Sequence, residues 1–355
     1  MKNLALKRIQ KMKPYKLPLS RRTDYGGLLL DFNERTQPVG RKVIQALERF
    51  VKNRKLQVYP GYFDLEKKIA KYAGVNANYV MLTNGSNQGI DIILRTFTEK
   101  GNKVIIPSPS FSMFYQRAQV VGNEIIKPLY KKTDFSFPLK EVLDSIDKQV
   151  KLIIVCNPNN PTGTAVSLND IEKIARKANK AIVYIDEVYF EFSKITAVPL
   201  IKKYPNIIVT RTFSKAFGLA SLRIGYIIAK KEYIEEMLKV RGPYSVNMAA
   251  YWAAKAALED KENMECYVNE VMKRAKPLVE KFFLENGIQY FPSKANFILL
   301  RPNNPKLVMR NLAKARVLLR PQNQQNIENR LRVTIGTVKQ MKRCIEIYKK
   351  VVLKK

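Results

Sequence analysis

A lysine that attacks a carbonyl near neutral pH must give up its proton, and Thr212-Phe213-Ser214-Lys215-Ala216-Phe217-Gly218 is composed to allow it. Lys215 stands in a small, hydroxyl-rich loop between apolar elements, where desolvation and nearby cations depress an amine pKa and permit a Schiff base. Arg223 follows in Leu222-Arg223-Ile224-Gly225-Tyr226, and its guanidinium with the Thr212 and Ser214 hydroxyls suits a phosphate dianion. Alone, the fragment also describes a solvated loop lysine. Upstream, Asp186 ends the apolar run Ala181-Ile182-Val183-Tyr184-Ile185, at a strand end where open α/β sheets bind ligands. A buried carboxylate there needs a cationic partner, although a helix N-cap or a structural ion pair explains a single such residue equally well.

Other loops also follow strands. Cys156-Asn157-Pro158-Asn159-Asn160-Pro161-Thr162-Gly163 has two X-Pro steps and a glycine, which stiffen it enough to hold the Asn160 amide toward a ligand oxygen; a polar turn has the same composition. Asn84-Gly85-Ser86-Asn87-Gln88-Gly89 lies between a strand and a helix, so backbone N–H groups at Ser86 and Asn87 can approach an anion, helped by the helix dipole. The segment is not a P-loop. Phe111 can cover a flat heterocycle, though any phenylalanine is by default a core residue. Together and in this order, the loops specify a ligand with a phosphate, an aldehyde for Lys215, a ring nitrogen for Asp186, and a ring oxygen near Asn160 and Tyr189. Pyridoxal phosphate meets all four demands.

These loops must be held by strands and helices. Apolar, β-branched runs at 79–82, 103–106, 124–129, 151–156, 181–185, 206–210 and 224–229 alternate with helical spacing at 88–98, 112–121, 139–146 and 169–178. Such alternation predicts an α/β protein with a mostly parallel seven-stranded sheet covered by helices on both faces. After Arg241-Gly242-Pro243 the pattern becomes a smaller α+β region. It reads as one long helical stretch over 247–286 with a break at Pro277, short strands near 297–300 and 331–334, and helices over 305–315 and 338–351. The segment around Leu28 to Phe32 is expected to join it. The expected division is an N-terminal arm (1–36), a large cofactor-binding domain (37–243) and a small C-terminal domain (244–355).

Composition narrows the chemistry further. The chain has 355 residues and no histidine, which removes Ser-His-Asp and Cys-His nucleophiles, His-ligated metals and imidazole acid–base chemistry. Cys156, Cys266 and Cys344 form no CxxC or zinc spacing, so no metal is expected and a reducing, cytoplasmic setting fits. No run of about 18 apolar residues suggests a membrane span. The 64 Lys and Arg against 30 Asp and Glu leave a net charge of +34, concentrated between Lys2 and Arg22 and between Lys339 and Lys355. That field attracts phosphates. Most lysines are nevertheless scattered singly over helices, without the patterns of known nucleic-acid readers, so a dedicated nucleic-acid role is not expected.

The ordered set Gly85-Ser86-Asn87, Asn159-Asn160-Pro161-Thr162-Gly163, Asp186-Glu187-Val188-Tyr189, Ser214-Lys215-Ala216-Phe217-Gly218 and Leu222-Arg223-Ile224-Gly225 resembles the fold type I, pyridoxal-phosphate-dependent aminotransferases. The likeness runs from Leu30-Asp31-Phe32-Asn33-Glu34 to Leu331-Arg332-Val333-Thr334-Ile335-Gly336-Thr337. Val58-Tyr59-Pro60, Phe111-Ser112-Met113 and Leu319-Arg320-Pro321-Gln322-Asn323 resemble the histidinol-phosphate branch most. The resemblance implies that Lys215 holds the cofactor and moves the proton between substrate Cα and cofactor C4′. It implies that Asp186 pairs with the pyridine nitrogen, that Asn160 and Tyr189 bond the ring oxygen, and that Phe111 stacks on the ring. Ser86, Asn87, Thr212, Ser214 and Arg223 would bind the cofactor phosphate. Tyr59 would reach the phosphate of a neighbouring subunit, which implies a homodimer with shared sites.

For the substrate, the resemblance assigns Arg332 and Arg320 to the anionic handle and Tyr15, in Pro14-Tyr15, to closing over a substrate phosphate. The implied reaction moves an amino group between glutamate and a phosphorylated oxo acceptor, namely L-histidinol phosphate with 2-oxoglutarate going to imidazole acetol phosphate and glutamate. Aromatic or other amino-acid transamination and phosphothreonine decarboxylation share every cofactor residue. A basic nucleic-acid-binding protein on an aminotransferase scaffold is the alternative of a different class.

Overall fold

The computed structural model describes residues 4–14, 22–59 and 61–354. The seven apolar runs form one sheet, with strands Val80–Thr83, Lys103–Ile105, Glu124–Ile126, Val150–Cys156, Ile182–Asp186, Ile207–Thr212 and Gly225–Ile228. Their spatial order, by first residue, is Val80, Gly225, Ile207, Ile182, Val150, Lys103, Glu124. Of the seven, Gly225–Ile228 alone runs antiparallel to the other six. The central strands are continuous apolar runs because both faces are covered. Ile153, Val155, Val183 and Ile185 enter one hydrophobic cluster, and Leu152, Ile154, Ile182 and Tyr184 enter the other, as the two-residue period of a strand requires.

The C-terminal region carries a four-stranded antiparallel sheet ordered Arg320–Gln322, Arg330–Thr334, Phe297–Arg301, Gln289–Phe291. Leu28–Leu29 pairs in parallel with Val317–Leu318. The long helical stretch differs from expectation. Helix Met248–Glu259 ends at Asp260 and a second begins at Lys261, while the chain passes Pro277 without a break. The reason is a widened turn at Val271–Ala275, directly before Pro277 in helix Lys276–Glu285, which accommodates the hydrogen bond that the proline, lacking an N–H, cannot make. No helix among the described residues is long and apolar enough to cross a membrane.

Parallel register brings the functional loops together. Cys156 lies opposite Asp186, and Asp186 opposite Thr210. Gly225 pairs with both Thr212 and Thr83, wedging between the lysine loop and the helix that begins at Gly85. A Cβ on Gly225 would lie 2.8 Å from the Arg211 carbonyl oxygen and 2.9 Å from the Ser86 nitrogen, both backbone atoms. Gly225→Ala is therefore expected to destabilise the cofactor-free protein by about 1–3 kcal/mol, read as a lower denaturant midpoint at unchanged m-value.

Candidate active site

The anion end is built on the helix Gly85–Phe97. Gly85 has φ +69°, and a Cβ there would come within 2.6 Å of Arg223 Nη2, so only glycine admits both the left-handed turn and the guanidinium beside it. Arg223 donates to the Ala220 carbonyl at 3.0 Å and to Ser214 Oγ at 3.4 Å. The Thr212 hydroxyl accepts the Ser214 N–H at 3.1 Å and donates to the Ile224 carbonyl at 3.4 Å, bracing the loop that carries Lys215. Helix N–H groups, hydroxyls and a fixed cation thus converge, the arrangement a phosphate needs.

Lys215 Nζ donates to the Phe32 carbonyl at 2.8 Å. Its pKa is pulled down to about 8, first by burial and then by Arg332 and Arg223, against the opposite pull of Glu34 and Asp186. Asp186 is 2% exposed and accepts from Thr210 Oγ1 at 2.7 Å. Among the described residues it forms no ion pair. Burial pushes its carboxyl up to about 7, with Glu187 adding to the rise and the Thr210 bond and Lys215 opposing it. The adjacent Glu187 points elsewhere, into a buried pair with Arg211 at 3.0 Å.

Asn160 Oδ1 accepts from Arg332 Nη1 at 2.5 Å, and Arg332 Nη2 donates to the Asp31 carbonyl. The stiffness of the Asn160 loop comes from Asn159, which accepts from Ser110 Oγ at 2.8 Å and donates to the Pro109 carbonyl and to Thr162 Oγ1, each at 2.9 Å. Tyr189 is buried and its hydroxyl accepts from Asn33 Nδ2 at 2.9 Å. Phe111 caps helix Ser112–Val121 and meets Phe114 edge-on at 5.6 Å.

Lys215, Asp186, Asn160, Tyr189, Ser86, Asn87, Phe111, Thr212, Ser214 and Arg223 all line one cavity of about 170 Å³, together with Cys156 and Val188. A larger cleft of about 990 Å³ shares much of this wall and adds Phe32, Asn33, Glu34, Arg320 and Arg332. The Arg320 guanidinium lies 5.3 Å from the Phe32 ring centre. Tyr59 lines neither space: it is 75% exposed and stacks on Tyr244 at 4.3 Å. Tyr15 lies outside the described residues. Sequence reasoning missed Asn33, Asn159 and Thr210. Thr210 was reachable from strand register opposite Asp186, whereas Asn33 meets Tyr189 across 156 positions and left no local signal.

The residues present fit pyridoxal phosphate. A buried carboxylate without an ion pair among the described residues suits a cation such as a protonated ring nitrogen, and a neutralisable amine lines the same cavity as the helix start and Arg223. In the cofactor-free protein Asp186 costs stability. Its folded pKa of about 7 exceeds the ordinary 3.8, so stability from this group falls as pH rises from about 4 to about 7 and stays low above that. Asp186→Asn, which still accepts from Thr210, is therefore expected to stabilise the cofactor-free protein by an amount on the order of 2–4 kcal/mol at pH 8 and by little at pH 4. Denaturant midpoints at the two pH values check this.

A family model described as aminotransferase class I and II matches residues 26–347. The chain is 35% identical over 312 residues to the histidinol-phosphate aminotransferase of Thermoanaerobacter pseudethanolicus, covering 87% of this chain and 88% of that one. It is 37% identical over 353 residues to the dihydroxyacetone phosphate transaminase of Campylobacter jejuni, covering 95% and 94%. In three dimensions it superposes on the histidinol-phosphate aminotransferase of Sinorhizobium meliloti, solved with pyridoxal-5'-phosphate, with a TM-score of 0.88 at 19% identity over 100% of this chain and 99% of that one, a likeness of fold. With the sheet, the lysine loop and the strand-end carboxylate all in place, the chain belongs to the class I and II aminotransferases, a pyridoxal-phosphate-dependent family.

Proposed function

We propose that this aminotransferase acts on a phosphorylated hydroxymethyl ketone, interconverting L-histidinol phosphate and 2-oxoglutarate with imidazole acetol phosphate and glutamate. The observation that carries the proposal is the presence of two guanidiniums, Arg332 and Arg320, on the cleft that holds Lys215. Two arginines can give several charge-assisted bonds to a dianion. The names of several relatives at 31–35% identity support the imidazole substrate. A second reading is transamination of dihydroxyacetone phosphate, favoured by the 37% identity across nearly the full length to a transaminase of that name. Both acceptors share one core, a ketone beside a phosphorylated hydroxymethyl group.

When bound, pyridoxal phosphate supplies the aldehyde that takes up the amino group and an electron-poor ring that accepts the pair left at Cα. The protein's own residues do the rest. Ser86, Asn87, Thr212, Ser214 and Arg223 hold the cofactor phosphate. Asp186 would keep the ring nitrogen protonated, Asn160 and Tyr189 would bond the ring oxygen, and Phe111 would cover the ring. Lys215, whose amine is neutralised near pH 8, holds the cofactor between turnovers and carries the proton to and from substrate Cα. Arg332 binds the carboxylate of the amino donor or the phosphate of the acceptor, with Arg320 and Tyr15 added for the phosphate.

The active unit in this proposal is a homodimer, divided in each copy near positions 36 and 243 into arm, large domain and small domain, in the cytoplasm. Leu56, Val58, Tyr59, Phe63 and Tyr244 are each more than half exposed, an apolar surface that a second copy of the chain would cover, with Tyr59 reaching its partner's site. Sedimentation equilibrium is expected to return twice the chain mass of 40.9 kDa; a monomer would remove the shared site.

Lys215→Ala is expected to abolish the visible absorbance of the bound cofactor together with turnover. Arg320→Ala is expected to raise KM for histidinol phosphate by roughly 10- to 100-fold, the worth of a charged hydrogen bond, while glutamate changes far less. Equal effects on both would count against the phosphate role. Side-by-side steady-state assays with histidinol phosphate, dihydroxyacetone phosphate, phenylalanine and phosphothreonine separate the substrate readings. Salt-insensitive, negligible DNA and RNA binding would exclude the nucleic-acid alternative.

A further inference from the structure

The Tyr189 hydroxyl has one proton, and the groups behind it decide where that proton points. Asn33 is buried and holds φ +56°, a conformation asparagine tolerates better than most residues. Its backbone N–H donates to Thr334 Oγ1 at 2.9 Å, and Thr334 Oγ1 donates back to Asn33 Oδ1 at 3.2 Å. Having accepted the backbone N–H, the threonine hydroxyl spends its only proton on the amide oxygen, which fixes the amide's orientation. The NH2 group must then face Tyr189, where Nδ2 donates to the phenolic oxygen at 2.9 Å. The ring cannot turn away, being 1% exposed and set edge-on against Phe297 at 5.2 Å. Tyr189 is thus an acceptor on its buried side and keeps its own proton for the cavity it lines.

We propose that Thr334 and Asn33 are positioning residues that commit the Tyr189 hydroxyl to donate into the cofactor cavity, toward an anionic ring oxygen. The inference rests on the reading of Tyr189 as the ring-oxygen partner. The charged and titratable groups around Tyr189 are Arg332, Asp186 and Cys156, with Lys215 on the same cavity wall, and neither relay residue titrates. Packing alone does not require an amide here: a carboxylate of the same shape would fill the space but claim the tyrosine's proton.

The test is the pH titration of the visible absorbance of the purified, cofactor-loaded protein, with cofactor affinity measured separately on the cofactor-free protein. A donor to an anionic oxygen lowers the titration midpoint, so Tyr189→Phe is expected to raise it by about 1 pH unit. Asn33→Gly suits the left-handed backbone and carries no charge. It is expected to raise the midpoint in the same direction by a smaller amount, and to add nothing in the Tyr189→Phe background. Thr334→Val, which frees the amide to invert, is expected to act likewise and supplies the answer should Asn33→Gly fail to fold. An unmoved midpoint in the folded Asn33→Gly and Thr334→Val variants, with Tyr189→Phe shifted, overturns the proposal. Shifts of equal size with and without the tyrosine hydroxyl overturn it as well, since they make the effect structural. An unmoved midpoint in Tyr189→Phe itself overturns the parent reading and this one with it.

Discussion

A carboxylate buried at the end of a central strand, with a neutral hydroxyl as donor and no ion pair among the described residues, is costly to keep. Asp186 is held there by the parallel register that sets it opposite Thr210 and by tight packing on both faces of the sheet. Its neighbour Glu187 is treated differently: Arg211 and the Ala197 N–H satisfy it. Arg211 neutralises one acid, while the other lines the cavity without an ion pair among the described residues. A heterocyclic cation bound there would relieve that carboxylate and be stabilised by it.

The second dependence is on a short N-terminal stretch. The Asp31 carbonyl accepts from Arg332, the Phe32 carbonyl from Lys215, and the Asn33 side chain donates to Tyr189. Arg22 reaches both the Asp31 and Glu34 carboxylates and lies 4.2 Å from the Phe32 ring centre. Thr334, at the end of strand Arg330–Thr334, and Asn296, just before strand Phe297–Arg301, hold the same stretch. Three successive residues, Asp31, Phe32 and Asn33, thus tie Arg332, Lys215 and Tyr189 to one another. A shift of this stretch would move all three groups at once, which suits a site whose reacting atoms must be aligned.

The strong positive charge acts at longer range. Several cations lie on the cleft walls, and both substrate and cofactor in the proposed reaction carry phosphates, so the field raises their local concentration without specifying either. Selectivity has to come from short-range geometry, such as the spacing of Arg320 and Arg332 and the amides beside them.

The loops that line the cavity, their order along the chain and the residue types of Lys215, Asp186, Asn160 and Arg223 on its wall were legible in the amino-acid sequence. Each is a local strand–loop–helix segment whose residue types state what it can bind. Most strand positions were also legible, because buried parallel strands are continuous apolar runs. Tertiary structure alone decided that Arg211 neutralises the adjacent Glu187, that Asn33 stands behind Tyr189 across 156 positions, and that Arg332 meets Asn160 across 172. It also decided that a widened turn carries a helix past Pro277. The physical reason is common to these cases: the partners are brought together by strand register and the packing of distant segments, and side-chain types along the chain carry no record of such long-range pairing.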